Sequence, residues 1–331
     1  MTHTYVFNGD ADGLCALQQL RLADDGAGRA IAGALVTGVK RDIALLARVA
    51  PVPGDSCTVL DVSLDVNRAA LLALLEAGVS VEYFDHHFAG DIPAHPGLAA
   101  HIDLAPNVCT SILVDRHLEG RCRVWAAVGA FGDSLNDEGR ALAAAAGVSG
   151  PGAEQLRAIG VAVNYNAYGE SVADLHVPPV DLAEEMLRFP DPLEMAERSA
   201  LFRRVADGFR ADMALAGRVQ PARRAAGAVL FVLPDAAWSR RVSGTLANDL
   251  AKAHAGDAVA LLSPRSSEAG GGYVVSIRVP RDARISAEAF CRRFPTGGGR
   301  RTAAGINHLP ADALDDFGAA FESEFRAAVP E

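Results

Sequence analysis

Paired cysteines are missing from this chain. Cys15, Cys57, Cys109, Cys122 and Cys291 are odd in number, scattered and without a CxxC pair. That spacing excludes a disulfide framework or a thiolate zinc site as the organising principle, and suits small buried residues of a cytoplasmic protein. A basic segment followed by an apolar stretch is also missing from the start, and no apolar run approaches the roughly 18 residues of a membrane span. The expected setting is therefore cytoplasmic, with no membrane partner. Positive charge is in deficit, 31 Lys and Arg against 41 Asp and Glu for a net charge of −10. This opposes the wrapping of a long nucleic acid, whose affinity comes from Lys and Arg on phosphates, but leaves room for a short nucleotide in a local basic pocket.

What is present is ample apolar material: 331 residues, half of them hydrophobic, enough for two domains with cores of their own. In the first half, strand-like runs at Thr4–Asn8, Ile31–Val36, Cys57–Val62 and Ser80–Phe84 alternate with helical patterns at Gly13–Ala23, Lys40–Val49 and Asp65–Ala77. This alternation predicts an α/β fold with a parallel sheet. Val124–Tyr168 reads as helical, and the stretch from Asp191 to Gly217 as one long amphipathic connector helix. Three further strand-like runs follow ("AAGAVLFVLPD", "AVALLSPR", "YVVSIRVP"), with helical patterns at Ser243–His254, Ser286–Arg293 and Ala313–Ala328. The expected organisation is a parallel-sheet N-terminal domain (1–180), a helical connector (181–221) and a smaller α/β C-terminal domain (222–331).

Four polar clusters sit at the ends of apolar elements: "NGDADG" (Asn8–Gly13), "LDVS" (Leu60–Ser63), "FDHH" (Phe84–His87) and "FGDSLND" (Phe131–Asp137). Taken singly, Asp61 or Asp137 reads as a helix cap or turn residue. Taken together on one sheet edge, Asp10, Asp12, Asp61, Asp85 and Asp133 would repel one another unless cations neutralised them. Carboxylates mixed with imidazole suit Mn²⁺ first, with Mg²⁺, Co²⁺ or Fe²⁺ as alternatives. Two such ions about 3.5–4 Å apart can activate water and clamp a phosphoryl oxygen, which is the chemistry of phosphoester hydrolysis.

In their order and intervals, "NGDADGLCAL", "VLDVS", "FDHH" and "VGAFGDS" resemble the four motifs of the DHH phosphoesterase superfamily. "TGGGRRTAAGI" (Thr296–Ile306) resembles the signature of its DHH-associated substrate domain. The resemblance implies a metal-dependent phosphoric ester hydrolase with two divalent ions between its domains. Position by position, it implies Asp10 on the first ion, Asp12 on the second and Asp61 bridging both, with His86 and Asp133 completing the second. Asp85 would orient a ligand, and His87 would face the substrate as a catalytic group.

The chain departs from the family pattern at two places. Asn8 stands where many members have histidine, so an ion there would be held weakly or only with help from substrate phosphate. Arg300 replaces the histidine of the C-terminal signature. A guanidinium and a glycine-rich turn (Gly298, Gly299) entering a helix keep the anion-binding logic. Arg278 reads either as a substrate-facing strand residue, as in family members, or as an exposed strand-face residue. Thr110 of "NVCTS" reads as an N-cap. "NYNAYG" (Asn164–Gly169) fits no motif, its tyrosines suiting either base stacking or packing.

The expected substrate is a short nucleotide: very short oligonucleotides, or cyclic or linear dinucleotides, released as mononucleotides. Two alternatives stay open, an exopolyphosphatase or pyrophosphatase-like hydrolase and a catalytically weakened nucleotide-binding regulatory protein. Homodimerisation through the middle helices is open as well.

Overall fold

The computed structural model describes residues 2–26, 33–267 and 269–326, and the chain separates into two compact units, Met1–Gly208 and Phe209–Glu331. In the first unit, β1 (His3–Phe7), α1 (Ala11–Gly26), β2 (Gly33–Val36), β3 (Ser56–Leu60), α2 (Leu64–Glu76), β4 (Ser80–Asp85) and β5 (Leu98–Ile102) build the sheet half. Its helical half comprises α3 (Thr110–His117), α4 (Arg123–Gly132), α5 (Asn136–Ala145), α6 (Pro151–Asn166), α7 (Pro179–Met186) and α8 (Pro192–Arg198). The five strands are all parallel, in the order β2-β1-β3-β4-β5. The chain goes from β1 to β2 on one side and returns past β1 to β3 on the other. Such a switch point opens a crevice beyond the carboxyl ends of β1 and β3, where open α/β sheets bind ligands.

Strand alternation divides the core. Phe7, Leu60 and Phe84 lie in register across β1, β3 and β4 and join the buried cluster that includes Leu14 of α1 and Val114 of α3. Their neighbours Val6, Val59 and Tyr83, also in register, join a cluster with Leu71 and Leu74 of α2 on the other face. Because the last core layer is in register, the next residues, Asn8, Asp61 and Asp85, leave the sheet at one level. Backbone bonds from Asn8 N to Leu60 O (3.2 Å) and from Asp61 N to Phe84 O (3.1 Å) hold them there.

The mixed α/β architecture with a parallel N-terminal sheet is as expected; several elements differ. Ile31, of the expected second strand, lies outside the described residues, as do the last residues of the expected C-terminal helix, Ala327 and Ala328. Lys40–Val49 forms no α-helix, only a 3₁₀ turn at Leu45–Arg48. The buried Asn67 side chain takes the local backbone bonds instead, accepting from Leu46 N (3.1 Å) and donating to Ile43 O (2.7 Å). The expected connector helix is two, α8 and α9 (Ala200–Ala216), because Ser199 stands extended between them and its Oγ accepts from Phe202 N at 3.0 Å. The boundary between the units falls inside α9.

The second unit holds β6 (Arg223–Ala225), β7 (Ala228–Val232), β8 (Ala258–Pro264), β9 (Tyr273–Arg278), β10 (Gly297–Gly299) and β11 (Ala303–Leu309). They form one sheet in the order β10-β11-β9-β8-β7-β6, accompanied by α10 (Ala237–Ala253), α11 (Ala287–Cys291) and α12 (Leu314–Phe325). Its core is aromatic, with Phe290, Phe317 and Phe321 fully buried. The glycine-rich stretch does not enter a helix: it is the antiparallel hairpin β10–β11, with Gly298 opposite Gly305. Gly299 has φ +143°, and a Cβ there would come within 2.4 Å of Ala304 Cα, so side-chain-free backbone serves tight pairing rather than a helix entry. No helix among the described residues is long and apolar enough to cross a membrane.

Candidate metal centre

Asp10 follows β1 and caps α1. Its Oδ1 accepts from Asp12 N (3.0 Å) and Gly13 N (3.1 Å), satisfying two free donors of the first turn. Gly13 is required for this turn, since a Cβ would sit 2.2 Å from Asn8 O. Asp12, on the first turn of α1, reaches the start of α3. Its Oδ2 accepts from Thr110 N and its Oδ1 from Ser111 N, both at 2.7 Å, a placement favoured by the positive end of the helix dipole. The N-cap of α3 is Cys109, not Thr110: Thr110 donates its hydroxyl to Asp61 Oδ1 at 3.3 Å.

Asp61 follows β3 in left-handed backbone, φ 60°, a conformation that costs energy in a non-glycine residue and often marks a functional position. Burial, with Asp10 and Asp12 adding repulsion, pushes its carboxyl well above the usual carboxylate range. Asp133, at the C-terminus of α4, is pushed up to about 6 by burial and by Asp12 and Asp10, against the opposing charges of Lys40 and His86.

The two histidines after β4 are oriented by different partners. His86 Nδ1 lies 2.9 Å from Val108 O. A carbonyl only accepts, so Nδ1 carries the proton, and in the neutral ring Nε2 presents its lone pair. That Nε2 is 3.4 Å from Asp61 Oδ1 and 3.9 Å from Asp12 Oδ2. His87 Nδ1 is paired with Asp85 Oδ1 at 2.7 Å. Burial opposes the protonated ring, but the hydrogen bond and charge of Asp85 prevail and raise its pKa above the ordinary histidine value. Asp85 is fully buried and its Oδ2 has no hydrogen-bond partner among the described residues.

These donors fit a divalent cation. Donor atoms of Asp61, His86 and His87 lie within 4.8 Å of one another; the imidazole is in the ligating tautomer, the carboxylates repel without a cation, and a buried carboxylate oxygen is orphaned. The structure thus brings Asp10, Asp12, Asp61, Asp85, His86, His87 and Asp133 to one end of the first sheet. Asn8 is nearby but engaged: its Oδ1 accepts from Asp10 N (3.3 Å) and its Nδ2 donates to Lys40 O (3.3 Å).

The phosphate-binding candidates of the second unit meet around one hairpin. Arg300 is exposed where the chain turns from β10 to β11, its N donating to Ala303 O at 2.8 Å. Arg278 ends β9 opposite Ala303 and donates from Nε to Asn248 Oδ1 at 2.8 Å. Gly298 and Gly299 form the hairpin's first strand.

Lys40 was not legible in the sequence. It lies beyond β2 on the same sheet edge, and its ammonium is paired with Asp10 Oδ2. This charge overcomes the effect of burial and holds the Asp10 carboxyl below its ordinary range.

No family model matches the sequence, and no curated protein does. Solved structures do. Over 97% of this chain and 89% of the other, it is similar to the exonuclease RecJ bound to manganese, with a TM-score of 0.59 and 21% identity. The DHH domain of a member of a family of ribosomal proteins matches at TM-score 0.64 and 14% identity, over 98% of this chain and 87% of that one. The fold is the one that these solved structures share. A pGpG-specific phosphodiesterase from Vibrio cholerae also shares this fold, at TM-score 0.55 and 15% identity over 98% of both chains. The four acidic motifs gather at the sheet edge of the first unit.

Proposed function

We propose that the chain is a divalent-metal-dependent phosphodiesterase that hydrolyses very short oligonucleotides or dinucleotides to mononucleotides. The observation that carries this reading is His86, whose Nδ1 is tied to Val108 O and whose Nε2 is aimed at the buried Asp61 carboxylate. Mn²⁺ is the first candidate ion, supported by the oxygen–imidazole donor set and by the manganese in the similar RecJ structure. A divalent ion held by Asp61, His86 and Asp12, with Asp133 beside them, supplies charge neutralisation of a phosphoryl group and activation of water. Asp12 is anchored for that task by two backbone N–H groups, and Asp61 by Thr110. His87, steered by Asp85, is nearly half exposed at its side chain (45%) and is suited to donate a proton toward a departing oxygen. Arg278, Arg300, Gly298 and Gly299 are proposed to grip the substrate phosphate, because guanidinium groups bind phosphate through paired hydrogen bonds.

The small-substrate choice rests on the net charge of −10, unfavourable for long nucleic acid, and on similarity to the pGpG-specific enzyme over 98% of both chains. The test is a panel of 5′-phosphorylated dinucleotide, pGpG, a cyclic dinucleotide and tripolyphosphate with Mn²⁺. Mononucleotide release from the dinucleotides with tripolyphosphate untouched is the expected result. Cleavage of tripolyphosphate alone would replace this reading with a phosphoanhydride hydrolase, and binding without turnover would make it a regulatory protein.

A further inference from the structure

The acidic cluster is not electrostatically uniform. On its Asp10 side the carboxylate already holds a cation, whereas Asp12 on the other side is engaged by backbone N–H groups. Asp10 Oδ1 caps α1 through Asp12 N and Gly13 N, and Oδ2 holds the Lys40 ammonium. Asn8 has spent its amide oxygen on Asp10 N and its amide nitrogen on Lys40 O. A side-chain amide used at both ends has little to offer an ion.

Lys40 is held there along its whole length. Its backbone N donates to Ala167 O at 2.9 Å, and its backbone O accepts from Asn8 Nδ2 at 3.3 Å. Its Nζ donates to Asn164 Oδ1 at 3.3 Å as well as to Asp10, and lies 5.7 Å from the centroid of the Tyr168 ring. The otherwise unassigned stretch Asn164–Gly169 thus supplies an amide acceptor and a cation–π face to the ammonium, and a carbonyl to the backbone N of the same lysine. Asn166 braces that stretch, bonding both Val177 O (2.8 Å) and Val177 N (3.2 Å). Lysine ammonium is a compact cation on a flexible stem that loses much rotamer freedom when fixed. A cradle of this kind offsets that loss only where the position of the charge matters. Among the described residues, the other side of the cluster has no such cation: Asp61, Asp12 and the His86 Nε2 lone pair face one another.

We infer that the centre holds a single divalent ion on the Asp61–His86–Asp12 side, and that the Lys40 ammonium, cradled by Asn164 and Tyr168, is the fixed cation that replaces a second ion on Asp10. The family resemblance implies two ions; the residues fit one of those positions and not the other. A fixed ammonium on Asp10 supplies positive charge to a substrate phosphate at any metal concentration, so metal activation should follow a single-site curve.

The test is to count ions on the full chain, stripped with chelator and equilibrated with Mn²⁺, with and without inorganic phosphate, and to record the Mn²⁺ paramagnetic resonance spectrum. One ion per chain with the spectrum of isolated Mn²⁺ is the expected result. Lys40→Met, which frees Asp10 and removes the charge, should bind two, with the exchange-coupled spectrum of a neighbouring pair. Two coupled ions on the unaltered chain, or none, would overturn the inference, and so would a folded Lys40→Met protein that still binds one. The unaltered chain decides the count even if Lys40→Met fails to fold. No substrate is needed, so the count stands or falls apart from the proposed hydrolysis.

Discussion

Asp61 combines three local costs: left-handed backbone, burial and repulsion from Asp10, Asp12 and Asp133. Asparagine tolerates left-handed backbone comparatively well and carries no charge. Asp61→Asn should therefore raise the stability of metal-free protein by about 1–2 kcal/mol while abolishing most Mn²⁺ binding, both measured by denaturant titration in chelator and by ion counting. Equal or lower stability of the variant would show that the cluster is not strained by its charges. At His87 the sign is also fixed. Asp85 raises its pKa above the ordinary value against the opposing effect of burial, so Asp85→Asn should move the His87 titration to lower pH, followed by NMR of the metal-free protein. A removed orienting carboxylate of this kind typically costs about 10–100-fold in activity or metal affinity. Lys40 shows why part of the site was hidden at this scale. A lone lysine after a short strand has no motif, and its partners Asn164 and Tyr168 lie far along the chain, joined to it only by the fold.

At the scale of elements, strands were legible where β-branched and aromatic residues alternate between two cores, as in β1, β3 and β4. The strand β5, "LAAHI", is short and alanine-rich and gave no such signal. The hairpin β10–β11 begins with three glycines, which favour turns over strands, so its strand character comes from pairing with β11 and not from its own composition. The break between α8 and α9 was masked because hydrophobic periodicity continues through Ser199. Ser199 is nearly fully buried; it caps α9 through Phe202 N and donates to Glu185 Oε1 at 2.6 Å. Ser199→Ala should cost about 1–2 kcal/mol in urea unfolding. A cost near zero would mean the two helices are separated by something other than this cap.

Across the whole molecule, the metal-free protein has an inverted pH response. The native chain keeps protons on Asp133, whose pKa is about 6, and on Asp61, whose pKa is also raised, whereas the unfolded chain releases them above about pH 4. Stability is therefore full below the unfolded value and lost as pH rises through the folded one. His87, also raised, acts with the same sign, and His3, lowered by burial, opposes it as a single group. The opposite contribution of Asp10, held below its ordinary value, is lost only at still lower pH. In chelator, the melting temperature should fall by a few degrees between about pH 5 and pH 7.5, since a pKa that differs by one between the folded and unfolded chains is worth about 1.4 kcal/mol. Saturating Mn²⁺ should reverse that trend by binding the deprotonated cluster. A metal-free melting temperature that rises over this interval would contradict the electrostatic account.

The measurement that reaches the central claim most directly is Mn²⁺-dependent release of mononucleotides from a 5′-phosphorylated dinucleotide, with Asp61→Ala run beside the unaltered chain. The account predicts turnover that vanishes in chelator, returns with Mn²⁺, and falls by at least about 100-fold in Asp61→Ala. An Asp61→Ala protein that keeps most of the activity would contradict it, because the chemistry would then lie outside the cluster at the end of β1, β3 and β4.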